Sequence, residues 1–207
     1  MSRAAERPDT ATRLALPDAG HGPGVLVIAC GAREGELVEE ACTRLARHGF
    51  VALGIVATDA AGLDAERRRV DDALDALFRD DATDGARAGI VGFGRGGALA
   101  VDAASRGAAA AALVGFGGVA EIAALEDPAP DALAAPLLVA VGEKDPDATP
   151  AALDALRARL GGAAKLELRV LPGAPREFFD PVCADRYDAL AARAAWDAAL
   201  ARLLAEL

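Results

Sequence analysis

The chain alternates between short apolar runs and longer segments whose apolar residues recur three or four positions apart. Residues 25–30 (VLVIAC) form a nearly all-apolar run after the turn signal Gly22-Pro23-Gly24. Such a run predicts a strand covered on both faces. Similar strands are predicted over residues 50–56, 87–93, 109–115 and 137–142, and residues 165–171 alternate as KLELRVL. Between them lie helical patterns. Residues 36–48 put Leu37, Val38, Ala41 and Leu45 on one face, and Gly49 stands where a helix stops. Residues 63–78 turn Val70, Leu74, Leu77 and Phe78 inward. Further helices are predicted over 95–106, 150–160 and about 185–206, with loops around Pro128, Pro130 and Pro136 and over 172–185.

Strands alternating with helices call for an α/β architecture: a mostly parallel, doubly wound sheet with helices on both faces. In such sheets ligands sit at the carboxyl ends of the strands. Residues 1–20 read as an N-terminal arm or edge strand, and 21–207 as one domain without internal repeats. A domain of this length buries about 70% of its unfolded surface, so it needs no staple.

Composition narrows the function. The formal net charge is −10 and aromatics are 4% of the 207 residues. Both argue against nucleic acid as a partner, which needs a basic face or stacking rings. Three irregularly spaced cysteines (Cys30, Cys42, Cys183) and two histidines (His21, His48) give no disulfide scaffold and no metal-ligand pattern. The Glu143, Asp145, Asp147 cluster reads as solvated loop carboxylates, so no metal or cofactor is expected. The apolar run 107–120 is shorter than the roughly 20 residues of a bilayer span, and the first 20 residues contain no continuous apolar stretch. The expectation is a cytoplasmic monomer or homodimer. The excess of Ala, Arg and Asp over lysine reflects a GC-rich genome.

The most informative segment is Gly92-Phe93-Gly94-Arg95-Gly96-Gly97, a glycine-rich turn between a predicted buried strand and a helix. Three readings compete. Gly92, Gly94 and Gly97 satisfy G-x-G-x-x-G, but the acidic residue expected about 20 positions later is missing. Gly92-Phe93-Gly94-Arg95-Gly96 also fits a nucleophile elbow, G-x-Nuc-x-G, at every position but the centre. The third reading is a plain packing turn.

Several ordered segments resemble the dienelactone hydrolase family of α/β-hydrolases. Val91 to Gly97 (VGFGRGG) is similar to the family's VGYCLGG elbow. Residues 22–28 (GPGVLVI) resemble its GPGVVVI strand, and 45–53 (LARHGFVAL) its LAxxGYVAL join. Leu171-Pro172-Gly173-Ala174 with Phe178-Phe179 resembles its YPGAxHGFF loop, and Tyr187, Asp188 and Trp196 its last helix. The resemblance implies an α/β-hydrolase fold and a Cys, Asp, His triad. Position by position, the nucleophile falls on Gly94, the acid on Asp145 and the histidine on Arg176. The segment after the first strand, usually HE-xFG, is Ala29-Cys30-Gly31 here.

Glycine cannot attack a carbonyl, and an arginine cannot accept a proton near pH 7. The expectation is therefore a family member with a dismantled triad. Its pocket would be formed by Cys30, Gly31, Gly94, Arg95, Asp145 and Arg176. The helix start at Arg95, with the Arg95 and Arg176 charges, suits a small carboxylate or other anion. Asp145 and Arg176 are expected to pair, either in that pocket or as a structural ion pair over a filled one. Gly94 should adopt positive φ, which an elbow demands and glycine takes freely. The alternative is an ester or lactone hydrolase using Cys30 or Cys183 as a displaced nucleophile; the third is a nucleotide-binding domain. Cys30 and Cys42 otherwise read as packed residues, and Ser105 lies too far along its helix to attack. Neither His21 nor His48 is placed to act as a base. Trp196 and Tyr187 are expected as core or groove anchors.

Overall fold

Among the described residues seven strands build one sheet in the order β1-β3-β2-β4-β5-β6-β7. The structure, a computed structural model, describes residues 12–30, 34–58, 62–125, 133–160 and 166–207. The strands are β1 (Arg13–Ala15), β2 (Gly22–Cys30), β3 (Val51–Ala57), β4 (Thr83–Phe93), β5 (Ala110–Phe116), β6 (Leu137–Gly142) and β7 (Leu166–Leu171). The helices are α1 (Gly35–Arg47), α2 (Leu63–Arg79), α3 (Arg95–Ser105), α4 (Val119–Ala123), α5 (Pro150–Leu160) and α6 (Ala189–Glu206). Among the described residues only β1 runs antiparallel, against β3 at the edge of the sheet.

The apolar runs occupy the centre of the sheet because they are covered twice. Leu26, Ile28 and Ile90 face α2 and α3, in a core that extends to α5. Val25, Val27 and Val91 face the opposite way, into a second core closed by α1 and α6. Each central strand supplies both cores by alternation, so nearly every one of its residues is buried.

Several boundaries differ from the sequence reading. β2 begins at Gly22, inside the Gly22-Pro23-Gly24 segment read as a turn, because Gly22 and Pro23 pair with Thr83 and Asp84 of β4. β4 begins at Thr83 rather than residue 87; its first residues are mostly exposed and polar, so no hydrophobic pattern marks them. α6 begins at Ala189 because the Asp188 carboxylate caps it, accepting from the N–H groups of Leu190 (3.1 Å) and Ala191 (3.0 Å). α4 is a five-residue helix in a stretch expected to be loop, too short to show a period. Tyr187 is a correction as well: it is exposed, since it precedes that cap, whereas Trp196 is buried in the second core.

The chain steps outward from β2 to β3 on one side and continues from β4 to β7 on the other. The reversal lies between β2 and β4. Loops at their carboxyl ends diverge there and leave a crevice.

Candidate functional site

Gly94 sits over that crevice, between the end of β4 and the start of α3. Its φ of 52° and ψ of −123° give the sharp strand-to-helix turn of an elbow. Its N–H donates to the Phe116 carbonyl (2.8 Å) and its carbonyl accepts from Gly97 (3.0 Å). The flanking glycines are required by contact. A Cβ on Gly92 would lie 2.3 Å from the backbone of Gly96, and one on Gly96 would lie 2.2 Å from the Ile28 carbonyl oxygen. A Cβ on Gly94 would meet nothing within 4 Å. The central position therefore faces open space, and glycine answers its positive φ alone.

The open space is a cavity of about 400 Å³ bounded by Cys30, Gly94, Arg95, Asp145, Arg176 and further residues of the 176–186 loop. Its apolar side is Phe93, Phe116 and Phe179. Phe93 stacks on Phe116 at 5.0 Å, and Trp196 supports Phe116 from beneath at 4.8 Å. Five of the six expected pocket residues thus come together; Gly31 lies outside the described residues.

Asp145 is held just past β6. Its N–H donates to the Gly142 carbonyl (3.1 Å), and Lys144 N–H donates to the Ala174 carbonyl (2.9 Å). Its carboxylate accepts from the Asp147 N–H (3.0 Å). The expected Asp145–Arg176 pair is not formed. Asp145 folds onto its own loop, and Arg176 donates instead to Asp147 (2.5 Å), with Glu121 4.0 Å away. Arg95 is also committed, to the buried carboxylate of Glu66 on α2. Glu143 accepts from the Gly173 N–H (2.8 Å), which ties the β6 and β7 loops together. Among the described residues no cluster of His, Cys, Asp or Glu could hold a metal ion.

Several lining residues were not legible as such in the sequence: Glu34, Asp147, Glu177, Asp180 and Arg186. The charged string from Arg176 to Arg186 was the available signal. Glu177 has φ 59°, the one non-glycine residue at positive φ among those described, and it pairs with Arg186 (2.5 Å). Burial, then the charges of Asp180 and Glu177, push the Glu34 carboxyl up from its ordinary range.

The thiols differ in setting. Cys183 donates to Asp180 (3.1 Å), and that bond, burial and the surrounding carboxylates push it up to about 11. Cys42 is packed against β3, and burial pushes it up to about 12. Cys30 is half-buried at the cavity edge. Both histidines are elsewhere: His21 bonds Asp84 (2.8 Å), and His48 caps the end of α1. Ser105 donates to the Val101 carbonyl within α3.

A profile of the dienelactone hydrolase family matches residues 55–206, which include the elbow, Asp145 and Arg176. The chain belongs to the dienelactone hydrolase family. Solved structures of family-like proteins superpose over nearly the whole length. The dienelactone hydrolase-like promiscuous phosphotriesterase P91 from metagenomic libraries has a TM-score of 0.76 at 24% identity, covering 95% of this chain and 98% of its own. A protein described as a dienelactone hydrolase from Klebsiella pneumoniae gives 0.79 at 22% identity, over 97% and 95%. Est1E from Butyrivibrio proteoclasticus gives 0.67 at 17%, over 93% and 94%. At these identities the likeness is one of fold, the α/β-hydrolase fold. No curated protein sequence matches the chain significantly.

Proposed function

We propose that this dienelactone hydrolase family member binds a small molecule in the cavity over Gly94 without hydrolysing it. One observation carries the reading: the elbow backbone is intact while its central residue has no side chain, and hence no atom able to attack a carbonyl. The base is missing too. The residue at the histidine position is Arg176, paired with Asp147, and neither histidine lines the cavity. Cys183 is a poor substitute nucleophile, because its bond to Asp180, burial and the neighbouring carboxylates all disfavour the thiolate.

The ligand's charge follows from the lining. An anion was expected, but six carboxylates against three guanidiniums surround the cavity among the described residues. Arg95, Arg176 and Arg186 each already face a carboxylate. An anion would have to break one of these pairs. An uncharged ester- or lactone-like molecule, lying on the phenylalanine floor, would not.

Hydrolysis of p-nitrophenyl acetate and of a dienelactone tests the reading. No turnover above buffer is expected, from the unmodified protein or from its Cys30→Ala and Cys183→Ala variants. Turnover abolished by either variant would establish the displaced-thiol hydrolase instead. A melting temperature raised by NAD or ATP, and not by a lactone, would favour the nucleotide-binding reading.

A further inference from the structure

The two edges of the sheet are built differently. β1 is three residues long, too short to offer much of a ladder. β7, at the other edge, is six residues long, holds no proline or glycine, and keeps an unbroken register with β6 from Leu166 to Leu171. Among the described residues no strand lies on its outer side. The phase of the β6–β7 pairing fixes which backbone groups are left over. The Leu171 carbonyl accepts from the Glu143 N–H (3.0 Å). Leu171 therefore turns its N–H and C=O toward β6, and so, by the strand's period of two, do Arg169 and Glu167. Leu166, Leu168 and Val170 turn theirs outward. Their side chains share one face, where Leu166 and Leu168 rest partly buried on the α5-side core and Val170 is 40% exposed. Glu167 and Arg169 share the other face. There Glu167 accepts from Arg169 (2.7 Å) and from Arg202 of α6 (2.7 Å).

An edge with a row of outward N–H and C=O groups is a template for another strand, and edges are ordinarily blunted by proline, a bulge or shortness. β7 has none of these. The order of its charges selects the occupant. Glu167 and Arg169 stand symmetrically about Leu168. We infer that the protein dimerises through β7, two copies pairing antiparallel about Leu168 into one sheet of twice the width. In that register Glu167 of each copy falls opposite Arg169 of the other, and Leu166 opposite Val170. The outward groups of Leu166, Leu168 and Val170 are those that the ladder bonds. Glu167 and Arg169 then occupy the intervening positions, where side chains across an antiparallel pair approach most closely. Shifting the register by two residues in either direction sets Glu167 against Glu167 or Arg169 against Arg169, which disfavours the neighbouring pairings. The net charge of −10 opposes self-association in general. At this edge Glu167 and Glu206 are balanced by Arg169 and Arg202, so the contact escapes that repulsion. The interface lies away from the elbow cavity and stands whether or not that cavity is catalytic.

Sedimentation equilibrium of the full chain, from micromolar to millimolar concentration, tests the inference together with amide hydrogen exchange. A concentration-dependent shift from one copy to two is expected, with nothing larger, because a two-fold pairing uses up the β7 edge of both copies. Exchange should slow at Leu166, Leu168 and Val170 as the dimer fills, while Glu167 and Arg169, already bonded to β6, stay equally protected at every concentration. Val170→Pro removes one outward N–H at an exposed edge position, where proline is tolerated. It should leave a folded protein whose association is weaker by about tenfold or more. Arg169→Glu sets carboxylate against carboxylate on both sides of the axis and should weaken association by about tenfold or more. Adding Glu167→Arg to it swaps the two charges, restores the symmetric match and should recover the dimer, which a merely structural role for these residues would not do. Four outcomes would overturn the inference: a single copy at every concentration, a dimer that survives both Val170→Pro and Arg169→Glu, a folded charge-swapped protein that stays monomeric, or outward β7 amides protected at every dilution. The last would show that the chain covers this edge itself.

Discussion

At Gly94 two costs that usually travel together are separated. The space for a side chain exists, but the backbone lies at positive φ. Gly94→Ala and Gly94→Cys should therefore fold and lose only about 1–2 kcal/mol in urea denaturation, the cost of holding an L-residue there. Gly92→Ala meets backbone at 2.3 Å and cannot be accommodated without moving α3. It should lose more than about 3 kcal/mol or fail to fold. Equal losses in the two variants would show that the elbow is not strained as described. Glu34 gives a second test. Its carboxyl is raised by burial and by Asp180 and Glu177, so the cost of its ionisation to folding grows as the pH rises from the unfolded carboxyl value and is complete above the raised one. Glu34→Gln should raise the melting temperature at pH 7. The advantage should fade as the pH falls and vanish below the unfolded carboxyl value of about 4.3. A constant advantage at every pH would mean that charge is not the cause.

Helices α2 and α3 are joined by ions as well as by apolar packing. Asp102, 3% exposed on α3, accepts from Arg67 of α2 (2.6 Å) and from Arg106 (2.8 Å). Burial alone would raise its carboxyl, but the two guanidiniums hold it below its ordinary value. A depressed carboxyl contributes stability above its unfolded value of about 3.9, and that contribution is lost as the pH falls through the folded value. Asp102→Asn should lower stability at pH 7 by about 2–3 kcal/mol. Its stability should also depend less on pH below about 4 than that of the unmodified protein; parallel acid limbs would refute the account. At this scale the sequence was most legible where hydrophobic periods run long, as in α1, α2 and β2. It was least legible where polar residues extend a strand, as at Thr83, or where a cap such as Asp188 sets a boundary. Those limits depend on hydrogen bonds that a pattern of apolar positions does not record.

The molecule as a whole carries a net charge of −10, and many of its arginines are tied to carboxylates. Such a surface offers phosphates little to bind. At about 0.15 M salt the protein should elute in the void of heparin and duplex-DNA columns; salt-dependent retention would reveal a basic face. No described helix is long and apolar enough to cross a membrane. The sequence by itself determined the alternation of strands and helices, the glycine-rich turn, and that Gly94 and Arg176 carry no side chain able to attack a carbonyl or to accept a proton near pH 7. These follow from local periodicity, from glycine's backbone freedom and from side-chain chemistry, which are properties of single residues and their near neighbours. Only the tertiary structure decided which charges meet. It sent Arg176 to Asp147 rather than Asp145, tied Arg95 to Glu66 and lined the elbow cavity with carboxylates. Long side chains choose among partners many residues apart by distance and burial, and those quantities exist only once the chain has folded.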